Sequence, residues 1–94
     1  MRKHIVCQKF ADKKDAVVAA EMLRGLLGQV PTLKSMEVGL DDKGSERSYD
    51  LVLIATFDDE AGLLAYDKHP KHEAVRSFIR ARRTGTVSVD YEME

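Results

Sequence analysis

The chain has 94 residues, 44% of them hydrophobic and 33% charged, which suits one globular domain over residues 1–94 and excludes a disordered chain. Fifteen basic residues against sixteen acidic ones give a formal net charge of -1, which argues against a dedicated nucleic-acid binder. One cysteine allows no intrachain disulfide framework, no apolar run is long enough to span a membrane, and the first ten residues have no apolar signal-peptide core, so a reducing cytosol is expected.

Residues 3 to 10 alternate as a first strand, with His4, Val6, Gln8 and Phe10 on one face and Ile5, Cys7 and Lys9 on the other. The polar His4 and Gln8 read either as strand-end exposure or as the wall of a partly polar pocket. Cys7 reads as a small buried hydrophobe. Asp12 is placed to cap a helix, with Asp15 in its first turn. Ala16, Ala19, Ala20, Leu23, Leu26, Leu27 and Val30 recur at steps of three and four, which predicts a helix to about Leu27. Gly28 is the expected stop, and Pro31 prevents continuation.

Leu33 to Leu40 reads as a second strand with Met36, Val38 and Leu40 on one face. The charged stretch 41–48, with Gly44, reads as a solvated hairpin loop. Tyr49 to Phe57 is a third strand. Its two faces, Leu51, Leu53, Ala55 and Phe57 against Val52, Ile54 and Thr56, are both largely apolar, so both need cover. Three predicted helices, two of them short, can cover one face. A second copy of the chain is therefore expected on the other, which also suits a domain this small.

Asp58 or Asp59 caps a helix that includes Leu63, Leu64 and Tyr66. Pro70 suits the first position of the next helix, which puts His69 at its N-cap and His72 in its first turn. Val75, Phe78 and Ile79 are expected inward. Arg76, Arg80, Arg82 and Arg83 are expected mainly on the solvated outer side, favourable near a helix C-terminus. Thr84 to Met93 closes as a strand in which Val87, Val89 and Tyr91 alternate with Ser88, Asp90 and Glu92. The order strand, helix, strand, strand, helix pair, strand is the α+β ferredoxin-like pattern: a four-stranded antiparallel sheet with helices on one face.

The chemistry is concentrated in Tyr66-Asp67-Lys68-His69-Pro70-Lys71-His72. A histidine in the first turn of a helix stays neutral, because the positive end of the dipole disfavours imidazolium. A phenol six residues away can hydrogen-bond a carbonyl oxygen or enolate, so Tyr66 and His72 together suit proton removal next to a carbonyl. The same residues also read as a purely structural helix corner with Tyr66 packed into the core. His69 and His72 at i, i+3 supply only half a metal site, and no metal is expected. No cofactor motif is present, and no cofactor is expected.

His4-Ile5-Val6 through Lys9-Phe10, Glu37-Val38-Gly39, Tyr49-Asp50-Leu51 to Thr56-Phe57, Tyr66 through His69-Pro70-x-His72, and Val89-Asp90-Tyr91-Glu92 together resemble the stress-responsive A/B barrel domain (Dabb) family. The resemblance covers nearly the whole chain. It implies a dimeric α+β barrel formed through the sheet face. The family includes plant stress-induced proteins and olivetolic acid cyclase, an enzyme that closes an aldol ring without a cofactor. By that likeness Tyr66 and His72 stand at catalytic positions, His4 lines the site, and Asp90 orients the His72 base. Gln8 and His69 complete a more polar ligand-binding wall. Bulky aromatic lining on the first helix has no counterpart here. The expectation is a homodimer that binds or converts a small carbonyl compound by cyclase-, lyase- or isomerase-like chemistry. The alternatives are a non-catalytic protective dimer and a small monooxygenase on the same barrel.

Overall fold

A computed structural model describes residues 1–93. The elements are β1 (Arg2–Phe10), α1 (Lys13–Arg24), β2 (Ser35–Leu40), β3 (Leu51–Phe57), α2 (Glu60–Lys68), α3 (Pro70–Arg82) and β4 (Arg83–Glu92). The strands form one antiparallel sheet in the order β2-β3-β1-β4. The helices pack on one face, giving the βαββαβ ferredoxin-like fold.

Local chemistry sets the boundaries. Asp12 caps α1 by accepting from the Lys14 N–H, and Asp59 caps α2 by accepting from Gly62. His69 both ends α2 and begins α3, where its ring accepts from the Lys71 N–H and Pro70 follows as the first helical residue. Helix α1 stops a turn earlier than the periodicity predicts. Gly25 caps it, and the chain descends through turns in which Gly28 takes a left-handed φ of 89°. Leu27 consequently leaves the apolar stripe and is 49% exposed, while Leu26 and Val30 stay buried.

The core lies between the helices and the inner faces of β3 and β2. Ala16, Ala19 and Ala20 let α1 approach closely, and Leu23, Leu26, Val30 and Leu33 fill in around Leu51, Leu53, Ala55 and Phe57. Asp50 ties three segments together. Its carboxylate accepts from the Phe10 N–H at 2.7 Å and from Lys13 Nζ at 2.8 Å, while its own N–H donates to the Gln8 carbonyl at 2.9 Å. The Lys13 ammonium and the Phe10 N–H hold this carboxyl below the usual carboxylate range.

The outer face is the one the helices leave uncovered. The register aligns Val89, Ile5 and Ile54 in one row and Val87, Cys7 and Val52 in the next. Cys7 is half-buried there, not in the helix-side core. Val87 and Val89 are 50% and 61% exposed in the single chain.

Replacing Asp50 with Ala should leave the Phe10 N–H without its partner. Unfolding in urea at fixed protein concentration should show a loss of about 1.5–3 kcal/mol, the range for a hydrogen bond to a charged group. A change below ~0.5 kcal/mol would mean that the three-way tie contributes nothing net.

Candidate functional site

The inner sheet face is divided lengthwise. Reading across the strands from β4, one row runs Asp90, His4, Ala55, Met36. The next runs Ser88, Val6, Leu53, Val38, and the third Thr86, Gln8, Leu51, Leu40. Every row is apolar on its β3–β2 half, and every row carries polar groups on its β4–β1 half. The apolar half meets the helices. Over the polar half lies a cavity of about 280 Å³, roofed by α3.

Five side chains of α3 line it: His72, Val75, Arg76, Ile79 and Arg80, with Arg83 following at the start of β4. Their spacing of three, one, three, one and three is a single helical stripe. The floor is His4, Val6, Gln8, Thr86 and Ser88, and Leu23, Leu53 and Asp67 complete the wall.

Two imidazoles face this space. His4 Nδ1 donates to the Asp90 carboxylate across the β1–β4 ladder. An ionised carboxylate only accepts, so the bond places the proton on Nδ1 and leaves Nε2 as the free nitrogen. His72 is half-buried, and burial pushes its pKa below the ordinary 6.5, with the Arg76 guanidinium adding to the effect. Its Nδ1 stands 3.4 Å from the Asp67 carbonyl oxygen and 3.4 Å from an Arg76 nitrogen. With the proton assigned to Nδ1, toward Asp67, Nε2 holds the free lone pair. Arg76 is itself held by the Asp67 carbonyl at 2.9 Å and by the carboxylates of Asp67 and Glu73 at 3.5 and 3.6 Å.

Gln8 is buried on the floor, and its side-chain carbonyl oxygen has no hydrogen-bond partner among the described residues. It is a buried acceptor left unpaired beside the cavity. Among the described residues no group of three or more His, Cys, Asp and Glu is placed to hold a metal ion.

The structure separates other residues that the sequence groups together. Asp90 pairs with His4 and not with His72, because the antiparallel register puts it directly opposite His4 on the neighbouring strand. Tyr66 is fully buried and lies behind His72, ring on ring at 4.2 Å, with Phe57 beyond it at 5.1 Å. Its hydroxyl is outside the cavity wall and has no partner among the described residues, and burial raises its pKa well above the ordinary value. His69 serves as the cap of α3 and is also outside the cavity wall.

The stress-responsive A/B barrel domain family matches residues 3–93. The chain belongs to this family. A search of curated protein sequences returned no match. Among solved structures, a dimeric ferredoxin-like protein of unknown function from Thermobifida fusca is 26% identical, with a TM-score of 0.86 over 98% of this chain and 90% of that one. A second, from Bacteroides fragilis, is 27% identical, with a TM-score of 0.86 over 98% and 95%. The hydroxynitrile lyase of Passiflora edulis shares the fold at 16% identity, with a TM-score of 0.84 over 99% and 93%.

Within this A/B barrel domain, the residues that sequence reading placed wrongly are two of the arginines. Arg76 and Arg83 are half-buried in the cavity wall, whereas the expectation was a solvated outer face; Arg80 lines the same cavity and is exposed, as expected. The signal was present: 72, 75, 76, 79, 80 and 83 fall on the stripe set by Val75 and Ile79. Arg82 is exposed as well, stacking 3.9 Å over Phe78 and donating to the Phe78 carbonyl.

Two outcomes check this geometry. The folded chain protonates His72 only below pH 6.5, whereas the unfolded chain does so near 6.5. The unfolded state therefore binds more protons in between. His72's contribution to stability is complete above pH 6.5 and is lost as pH falls toward the folded value. NMR titration should give a His72 midpoint below 6.5, and His72→Gln should lessen the drop in stability between pH 7.5 and 5. A midpoint at or above 6.5 contradicts the buried, cation-flanked placement. Tyr66→Phe removes a hydroxyl with no partner, so stability should rise or stay within ~1 kcal/mol of wild type. A loss above ~2 kcal/mol would show that the hydroxyl is bonded.

Proposed function

We propose that this chain is a homodimer, joined through the outer sheet face, that binds a small carbonyl-containing molecule in the α3–sheet cavity and acts on it by acid–base chemistry. The observation that carries this reading is the convergence of a neutral-leaning His72 and the His4–Asp90 pair on one cavity. His72 Nε2 is the base. His4, held through its Nδ1–H by Asp90, is the second proton-handling group: its free Nε2 accepts a proton, and donates to a carbonyl oxygen only once it carries one. Tyr66 acts through His72: its ring fixes the imidazole plane from behind. Of the reaction types expected for a cofactor-independent member, proton removal next to a carbonyl fits these groups best.

The dimer rests on the two apolar rows of the outer face and on the dimeric state of the Thermobifida and Bacteroides relatives. Native mass spectrometry should give twice the chain mass. Val89→Glu, which places a charge in the row of Ile5 and Ile54, should give monomer with its helix-side core intact.

The aromatic column Phe57–Tyr66–His72 favours a second reading, a protective dimer in which His72 is packing. The two readings separate in deuterium oxide. The protein should accelerate α-hydrogen exchange of at least one member of a panel of small ketones, and His72→Gln should remove about 100-fold or more of the acceleration. Exchange no faster than buffer across the panel, with His72→Gln only lowering thermal stability, selects the protective dimer.

A further inference from the structure

The cavity's cations are distributed unevenly. At the His72 end, Arg76 is matched by Asp67 and Glu73. At the other end stand Arg80 and Arg83, and among the described residues neither has an ion-pair partner. Their neighbour Arg82 shows how an arginine is satisfied structurally here: it pairs with Asp15 at 3.9 Å and stacks on Phe78.

Arg83 reaches the cavity through an irregularity in the ladder. Lys9 opposes Gly85, but the next pair is Phe10 with Arg83, so Thr84 is passed over. With regular pairing Thr84 would oppose Phe10 on the helix side, and Arg83 would fall on the outer face. The bulge re-aims a guanidinium from the outer face into the cavity, a use that bulges have beside functional sites.

We propose that the Arg80–Arg83 end of the cavity is an anion site, and that the ligand is a small organic carboxylate with an apolar body. This rests on the small-molecule reading above and names the ligand class. A planar guanidinium fork matches a carboxylate bidentately. Val6, Leu23, Leu53, Val75 and Ile79 supply the apolar surface between the two ends. The volume is that of about nine waters at ~30 Å³ each, which suits a metabolite smaller than a drug. His72 and Arg80 are eight residues apart on one helix face, about 12 Å along the axis at ~1.5 Å per residue. The carboxylate and the reacting carbonyl are therefore different groups at opposite ends of one ligand.

The test is an NMR titration of the whole protein at low ionic strength with hexanoate and with its neutral match, hexanamide. Hexanoate should shift the Thr86 and Ser88 amides saturably and bind at least tenfold tighter than hexanamide. Arg80→Gln and Arg83→Gln should each weaken hexanoate about tenfold and leave hexanamide unchanged, and Arg83→Lys should restore only part of the loss. Hexanamide binding as tightly as hexanoate, or hexanoate indifferent to both substitutions, overturns the anion site and leaves the cavity reading standing. If neither probe shifts any cavity amide, the small-molecule reading fails and the anion site falls with it.

Discussion

Three helices cannot cover both faces of a four-stranded sheet, nor all of one. Most of what this chain does follows from how that shortage is distributed. Alanines on the inner face of α1 let that helix approach the sheet closely, and the buried core forms over the apolar half made by β2 and β3. The helix layer then falls short of β4. The uncovered outer face keeps its valines and isoleucines, which is tolerable only if another apolar surface meets it. The inner face over β1 and β4 solves the same shortage differently, by exchanging apolar side chains for His4, Gln8, Thr86, Ser88 and Asp90. One deficit of cover thus produces an apolar outer face and a polar cavity on opposite sides of the same two strands.

The division also separates stability from chemistry. Leu51, Leu53, Ala55 and Phe57 are buried on the apolar half of the sheet. Asp50, which ties the end of β1 to α1 and the start of β3, sits at the end of the two central strands and not in the cavity wall. Groups that tolerate burial poorly, two imidazoles and three guanidiniums, are collected where water and a ligand can reach them. The exception is Tyr66, whose hydroxyl is buried without a partner. It is retained against that cost by a ring that packs Phe57 on one side and His72 on the other.

The strand order, the helix faces and the His69-Pro70 corner were legible because each rests on local chemistry: period-two alternation, three-four periodicity, and a proline that can only begin a helix. The shortened α1 was not, since Leu27 continues the stripe perfectly and only the packing of the following turns excludes it. The partners of Asp90 and Tyr66 were not legible either. Spacing along a chain says that a carboxylate and an imidazole are available, but β-sheet register decides which imidazole. Arg76 and Arg83 were misplaced for a different reason. Charge was read as exposure, although a long side chain on an inward stripe can keep its stem against apolar surface and turn its head into a wet cavity. Thr84's omission from the ladder has no signature in composition at all.

The connection between α3 and β4 explains why that omission matters. Arg82 ends the helix and Arg83 begins the strand, with no loop between them. At such a junction the side-chain period changes from 3.6 to 2 within one residue, and a regular strand would turn the stripe of α3 away from the cavity at once. The bulge lets the stripe run one position further, onto Arg83. His72, Arg76, Arg80, Arg83 and, through Thr86 and Ser88, the cavity floor are consequently built on one continuous helix-and-strand stretch interrupted only by that bulge. In this arrangement His72 and the Arg80–Arg83 end are held at fixed separation by hydrogen-bonded backbone and not by flexible loops. That is the condition under which positioning contributes to rate.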